Sequence, residues 1–416
     1  MVNRVILSKI ELQNYRSCKN TVLELKPKLT SLIGINGSGK SNLLNGILLL
    51  KKLARYSAYQ EKDVSVTAFS KLRAFFNVGR VQLVYHASIG ISADEENQDD
   101  ILYARESWLL NDPKKKKKQK WVDLPLSTIG NQRRRIIYMS RMRRMDTRSS
   151  YRQLELLTKS EPSQQITPLI EAVYNFATGI SYYSASRFTD PTKCPTSFEI
   201  DTDGSLHRYI PQNSHTRFVF DLFNAYKSAK NNYDLFLSIV GKEGIGLVDS
   251  IRFDEIVVPA NIVKVRTGGN IVRTVGKKFL IVPNFIVQKV RLSPNQLSEG
   301  TFKTLALVFY LLTHKSNLVL IEEPEVCIHH GLLSSIVELI KMSSSRKQII
   351  VSTHSDFILD ALDPSEVCIV RNLPRNGTVV KHVAGTLGEK GYAALREYLN
   401  TSGNLGEYWR HGGLER

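Results

Sequence analysis

The sequence predicts an α/β protein whose core is split between the two ends of the chain, with a basic insertion between them. Three observations carry this. Residues 34–41 form a Gly-rich turn between an apolar strand and an apolar helix. Residues Leu318-Val319-Leu320-Ile321 run straight into Glu322 and Glu323. A third apolar run, Gln348-Ile349-Ile350-Val351-Ser352, ends in Thr353-His354-Ser355. In α/β sheets ligands sit at the C-terminal tips of the strands. The turn, the paired acids and the histidine are therefore expected at one edge of one sheet.

Taken in order, Val5 to Leu12 and Thr21 to Leu25 alternate as two strands of a hairpin. Leu29-Thr30-Ser31-Leu32-Ile33 is a buried strand, and the apolar helix begins at Asn42. Between them Gly34-Ile35-Asn36-Gly37-Ser38-Gly39-Lys40-Ser41 fits G-x-x-x-x-G-K-[ST]. Glycines let the backbone wrap a phosphate and aim its N–H groups inward, and the helix end adds partial positive charge. Lys40 is expected to reach the β- and γ-phosphates, and the Ser41 hydroxyl to ligate Mg²⁺. The chain is thus expected to bind a nucleoside triphosphate.

Residues 80–91 and 101–110 read as antiparallel strands, followed by Asp112-Pro113 and Lys114 to Lys118 at a turn. Residues 105–152 hold 15 Lys/Arg against four acids, a local charge of +11 out of +18 for the whole chain. Among them are Lys114, Lys115, Lys116, Lys117, Lys118, Arg133, Arg134 and Arg135. Such a concentration suggests a polyanion, DNA or RNA, contacted through phosphates because aromatic interleaving is sparse. A solvated loop or an acidic protein partner is the alternative. Residues 133–175 look helical, 180–185 return to a strand, and 188–214 read as an irregular connection. Helical patterning returns at 215–240, and short strands fill 251–290. The span shows no sustained heptads and no internal repeat.

In the second half, Leu297-Ser298-Glu299-Gly300-Thr301 precedes an apolar helix from about Phe302 to His314. At the tip after Leu318 to Ile321, one carboxylate can serve Mg²⁺ and the next can orient a water for attack on a γ-phosphate. His354, at the following tip, can contact that phosphate. Glu325 and His329 either form a contact loop or cap the next helix. The pair His329-His330 lacks further metal ligands at suitable spacing. The stretch from Gly403 to Arg410 either docks a partner or packs on its own sheet.

With 416 residues, 42% hydrophobic and 23% charged, the composition is that of a soluble globular protein. No apolar run has the length of a membrane span. The N-terminus lacks a signal-peptide pattern. Cys18, Cys194, Cys327 and Cys368 lie far apart and are expected as reduced thiols in a cytoplasm.

In their order and spacing these motifs resemble the ABC-type ATPases of the SMC, RecF and OLD branch, filed with AAA-like P-loop ATPases of bacterial defence. The opening Ile10-Glu11-Leu12-Gln13-Asn14-Tyr15-Arg16-Ser17 is similar to that branch's I-x-L-x-N-[FY]-R-S. The likeness covers residues 1–50 and 290–370. It implies an ATPase head with a split core, a mixed sheet plus an antiparallel lobe. It implies Mg²⁺-ATP bound through residues 34–41 with Arg16 and Ser17 nearby, metal at Ser41 and Glu322, and catalysis by Glu323, His354 and Lys40. It also implies head-to-head dimers in which Ser298 and Gly300 of one protomer cap the γ-phosphate held by the other.

Expected boundaries are 1–100 for the first half of the head, 101–290 for the insertion and 291–416 for the second half. Glu322 stands where transport ATPases have Asp, and the Ser298–Gly300 segment lacks their Gly-Gly-Gln. Gln82 is a candidate Q-loop residue by position, with a strand-surface glutamine as the plainer reading. About 60 residues follow His354, too few for the nuclease domain of full OLD proteins. The resemblance therefore suggests an ATP-driven switch that controls a separate nuclease in anti-phage defence. A RecF-like repair ATPase and a non-catalytic ATP-gated scaffold holding a toxin are the alternatives.

Overall fold

The computed structural model describes residues 4–55, 58–60, 70–93, 100–111, 161–201, 213–265, 271–313, 316–401 and 403–414. The lysine run 114–118 and Arg133 to Arg135 lie outside the described residues. The chain divides into two compact units. The first comprises Met1–Tyr182, Lys315–Glu323 and Ser344–Arg416, and the second Tyr183–His314 and Pro324–Ser343.

The first unit carries two sheets. One is antiparallel, in the order β2-β1-β5-β6-β7-β4, with β1 Val5–Tyr15, β2 Cys18–Glu24, β4 Ala58–Gln60, β5 Ser70–Val78, β6 Val81–Ala93 and β7 Asp100–Asn111. In β1 the buried residues are Val5 and Leu7, then Ile10 and Leu12, with Tyr15 at the end of the strand; the alternation first breaks between Leu7 and Ile10. This break in alternation has a cause: the register against β5 shifts between Leu7 and Lys9. The irregularity keeps both halves of the strand facing the core.

The other sheet is mixed, in the order β16-β15-β3-β14-β13-β8. Its strands are β3 Leu29–Ile33, β8 Ser181–Ser184, β13 Leu318–Glu322, β14 Gln348–Thr353, β15 Val367–Leu373 and β16 Gly377–His382. β3, β13, β14 and β15 pair in parallel. Every residue of β3 and β14 is buried, as expected of parallel strands covered on both faces. Helix α1, Lys40–Arg55, buries Leu43, Leu44, Ile47, Leu50 and Leu53 in a core shared with both sheets. Gly46 lets it approach β1: a Cβ there would meet Leu12 Cδ1 at 2.4 Å. Helix α2, Glu161–Thr178, adds Val173 and Phe176. Gln348 joins the sheets: its amide accepts from Leu7 N–H at 3.1 Å and donates to Leu7 O at 2.8 Å and Lys26 O at 2.9 Å.

The second unit packs α3 (Ser214–Ser228), α4 (Lys230–Val240) and α5 (Glu299–Thr313) around Phe188, Phe218, Phe236, Phe302 and Phe309. Its sheet has β10 Ser250–Val265, β11 Ile271–Val287 and β12 Val290–Leu292 in that order, with β9 Phe198–Asp201 also on β11. Two expectations are corrected here. The 188–214 connection contains β9, which pairs with β11. Instead of short strands, 251–290 holds two long ones, registered from Ser250↔Ile286 to Val265↔Ile271. Pro259 lies within β10, an edge strand, the kind of strand in which a sheet admits a residue without an N–H.

After α6 (His330–Ser344) and α7 (Asp356–Asp360), the first unit closes with α8 (Val383–Thr401) and α9 (Leu405–Arg410). The C-terminal stretch packs on its own unit, on α7 rather than on a sheet. Gly406 N–H donates to Asp360 Oδ1 at 2.7 Å and Arg410 pairs with Asp356. No helix among the described residues is long and apolar enough to cross a membrane.

Candidate functional site

Sheet register decides which distant residues meet. Parallel pairing sets Glu322 level with Ser352, and Ser352 level with Leu32. Three segments therefore leave the sheet at one edge: the loop starting at Gly34, the bend at Glu323 and the bend at His354. The Glu323 N–H donates to Ser352 O at 2.9 Å. Glu323 has a φ of 49°, a left-handed conformation that a non-glycine residue holds only under outside constraint.

Gly37 and Gly39 of the loop have φ values of 80° and 105°. A side chain at Gly39 would also meet Thr378 Oγ1 at 2.1 Å, so β16 presses against the loop there. Gly34 is also confined: a Cβ there would meet Val370 O at 2.3 Å. Lys40 opens α1, and its buried ammonium donates to Gly34 O at 2.7 Å and Ile35 O at 3.2 Å. Ser38 is buried with no partner for its hydroxyl. Asn36 and Gly37 are exposed at the crown of the loop, and Ser41 is exposed in the first turn of α1.

Sequence reasoning missed the residues that brace this loop. Thr378 Oγ1 lies 2.7 Å from Ser17 Oγ, which also accepts from Asn42 Nδ2 at 2.6 Å. Asn372 Nδ2 donates to Gly37 O at 3.3 Å. No local pattern marks Thr378 or Asn372, since both come from the far end of the chain through the β15–β16 hairpin. Ser17 is thereby placed at the start of α1. Arg16 is exposed in the β1–β2 turn with a φ of 51°, its guanidinium 5.6 Å from the Tyr15 ring.

At the acidic tip, Tyr182 of β8 donates its hydroxyl to Glu322 Oε2. Glu323 Oε1 and His354 Nδ1 are 3.8 Å apart. The arrangement fits Mg²⁺ and a triphosphate. It offers a glycine cradle, a buried hydroxyl without a partner at Ser38, a lysine held on loop carbonyls, and side-chain oxygens at Ser41 and Glu322 of the type Mg²⁺ takes. No cluster of three His, Cys, Asp or Glu that could cage a metal alone occurs among the described residues. Mg²⁺ bound through phosphates needs only one or two protein oxygens.

Ser298 and Gly300 belong to the second unit. Ser298 Oγ accepts from Thr301 N–H at 3.2 Å, in the manner of an N-cap of α5. Gly300 faces Cys327 O, 2.3 Å from a built Cβ. Lys303, wholly buried, lies 2.6 Å from Glu299 Oε1. Its hydrogen bond, then that of the Cys327 thiol, holds the Glu299 carboxyl below its ordinary value. His329 caps α6, its Nδ1 accepting from Gly331 N–H at 3.1 Å. Gln82 lies on β6, bonded to Asn77 and Asn111.

Comparison with known proteins adds the family. Over 95 residues the chain is 33% identical to the chromosome partition protein Smc of Methanococcus voltae, covering 23% of this chain and 7% of that protein. Over 75 residues it is 35% identical to the DNA replication and repair protein RecF of Microcystis aeruginosa, covering 18% and 20%. The matched part thus spans a fifth or less of these relatives. Among solved structures, an SMC head domain from Thermotoga maritima matches over 91% of this chain and 99% of that one, at 13% identity and a TM-score of 0.44. An SMC head bound to the C-winged helix domain of ScpA matches over 90% and 97%, at 16% identity and a TM-score of 0.48. Residues 29–360, most of the chain, match the family described as "AAA domain, putative AbiEii toxin, Type IV TA system". The chain belongs to that family and is a P-loop ATPase of the SMC/RecF type.

Proposed function

We propose that the chain binds and hydrolyses ATP, and that nucleotide state switches it between monomer and head-to-head dimer. The observation that carries this is the convergence of Lys40, Glu322, Glu323 and His354 where the parallel strands β3, β13 and β14 of the mixed sheet end. Mg²⁺-ATP supplies the electrophilic γ-phosphoryl group and the metal that neutralises its charge. The loop N–H groups of residues 34–39 and the Lys40 ammonium bind the phosphates. Ser41 and Glu322 hold the metal, directly or through water. Glu323, pinned by its N–H to Ser352, orients the attacking water and takes its proton. His354, beside Glu323, donates toward the γ-phosphate. Ser298 and Gly300 cap that phosphate from the partner protomer.

We place this switch in control of a separately encoded nuclease effector in anti-phage defence. The defence resemblance, together with the toxin–antitoxin wording of the family description, supports this role. The 35% identity to a RecF protein favours a second reading, a DNA repair ATPase. An adjacent nuclease gene whose product co-purifies in an ATP-dependent manner selects the first. The enzymatic core is tested by phosphate release and by sedimentation with and without ATP. Release above the level of a Lys40→Ala variant and a mass that doubles with ATP are expected. Release at the Lys40→Ala level leaves a nucleotide-gated scaffold instead.

A further inference from the structure

We propose that Tyr182 is a positioning residue for the Glu322 carboxylate, fixing the oxygen that meets Mg²⁺ or its bound water. The proposal rests on reading Glu322 as the metal acid. Tyr182 belongs to β8, next to β13 at the end of the mixed sheet, and Glu322 is the last residue of β13. The tyrosine ring is half-buried and packs against the core of the first unit. Only two side-chain torsions separate the hydroxyl from the backbone, and the core contact restrains them. That hydroxyl donates to Glu322 Oε2. Among the described residues no other side chain bonds this carboxylate.

The chemistry follows from the inventory of the group. An ionised carboxylate accepts at both oxygens. With Oε2 engaged, Oε1 is left for the cation, and the carboxylate no longer spins among its rotamers. A Glu needs this restraint more than an Asp, because its additional torsion must be frozen on each metal-binding event. Outer hydrogen bonds to metal-ligating groups act in this way, and their loss lowers metal affinity or activity about 10- to 100-fold. A bond that served only to join β8 to β13 would stabilise the fold and leave metal affinity unchanged.

The test uses the full chain with a non-hydrolysable ATP analogue and Mn²⁺, whose free fraction is read by electron paramagnetic resonance. Tyr182→Phe keeps the ring and removes the hydroxyl. It is expected to weaken Mn²⁺ about tenfold while nucleotide affinity measured in EDTA stays as in wild type. Glu322→Gln is the control. If it weakens Mn²⁺ and Tyr182→Phe does not, the tyrosine proposal is overturned and the metal reading stands. If neither changes affinity, the metal reading of Glu322 falls and the proposal with it. A double-mutant cycle separates positioning from fold support. Glu322→Asp withdraws the carboxylate from the hydroxyl, so adding Tyr182→Phe should cost nothing further in Mn²⁺ affinity. A full additional tenfold loss would mean the hydroxyl acts without Glu322, which also overturns the proposal.

Discussion

Glu323 Oε1 and His354 Nδ1 stand 3.8 Å apart at the tips of adjacent parallel strands. Thirty-one positions separate them in sequence, and the β13–β14 register alone brings them together. Both side chains are partly exposed, 35% and 42%, as the proposed placement of a phosphate and its attacking water beside them requires.

The contact between the loop and β16 makes Gly39 sensitive to a single methyl group. Gly39→Ala combines a left-handed φ with a Cβ 2.1 Å from Thr378 Oγ1. The variant should lose about 1–3 kcal/mol of stability and at least ~10-fold in ATP affinity, since the cradle must shift to accept it. Thr378→Ala removes the two closest atoms and should restore part of the loss. Chemical denaturation and calorimetry with ATP read both effects, and full stability in Gly39→Ala would show that the loop is softer than its packing implies.

Thiol chemistry should single out Cys327. Burial pushes the Cys194 and Cys368 thiols up to about 12 and also raises Cys18, whereas Cys327 is exposed. At pH 8 a thiol with that raised value has roughly one part in 10⁴ as thiolate, the reactive form. Raising the pH toward 12 would increase that fraction if the fold survived. Brief iodoacetamide treatment at pH 8, read by peptide mass spectrometry, should modify Cys327 well ahead of the other three. Equal labelling of Cys368 would mean that the β15–β16 hairpin opens readily.

Sites shared between protomers predict complementation. Ser298→Arg should bind ATP yet neither dimerise nor hydrolyse it. Loss of its capping role costs about 1 kcal/mol as well, so its melting midpoint must be checked. Mixed with Lys40→Ala protein, it should recover phosphate release, because one composite site then carries neither change. A mixture as inactive as its parts, under conditions where subunits exchange, argues for sites built within one protomer.

The basic segment predicts salt-dependent binding. If Lys114 to Lys118 meet phosphates, duplex DNA affinity should fall by about 0.9 log units per log unit of salt for each contact. Changing the five lysines to Ser should flatten that slope and leave ATP hydrolysis unaltered. An unchanged slope assigns the run to another role.

Much of the site was legible because its chemistry is local. Gly34 to Ser41 and Glu322-Glu323 advertise themselves by residue type at fixed spacing, and the apolar runs of β3, β13 and β14 gave the strands. The braces were not legible. Thr378, Asn372 and Tyr182 act through pairing between distant strands, and nothing near them in sequence marks a partner. The long β10–β11 pair escaped for a different reason. Pro259 lies inside β10, and only the strand's place at the sheet edge, which nothing in the sequence marks, admits it. β9 was hidden in a Pro- and Thr-rich stretch, because its four residues form a strand only by adding to β11.

The central claim is that Glu323 activates the attacking water at this strand tip, and its most direct measurement is single-turnover phosphate release by Glu323→Gln. The side chain keeps its size and loses its basicity. Mg²⁺-ATP affinity should match wild type, the rate should fall by at least ~10²-fold, and the ATP-bound dimer should persist in sedimentation. Release near the wild-type rate, with binding intact, would contradict the account.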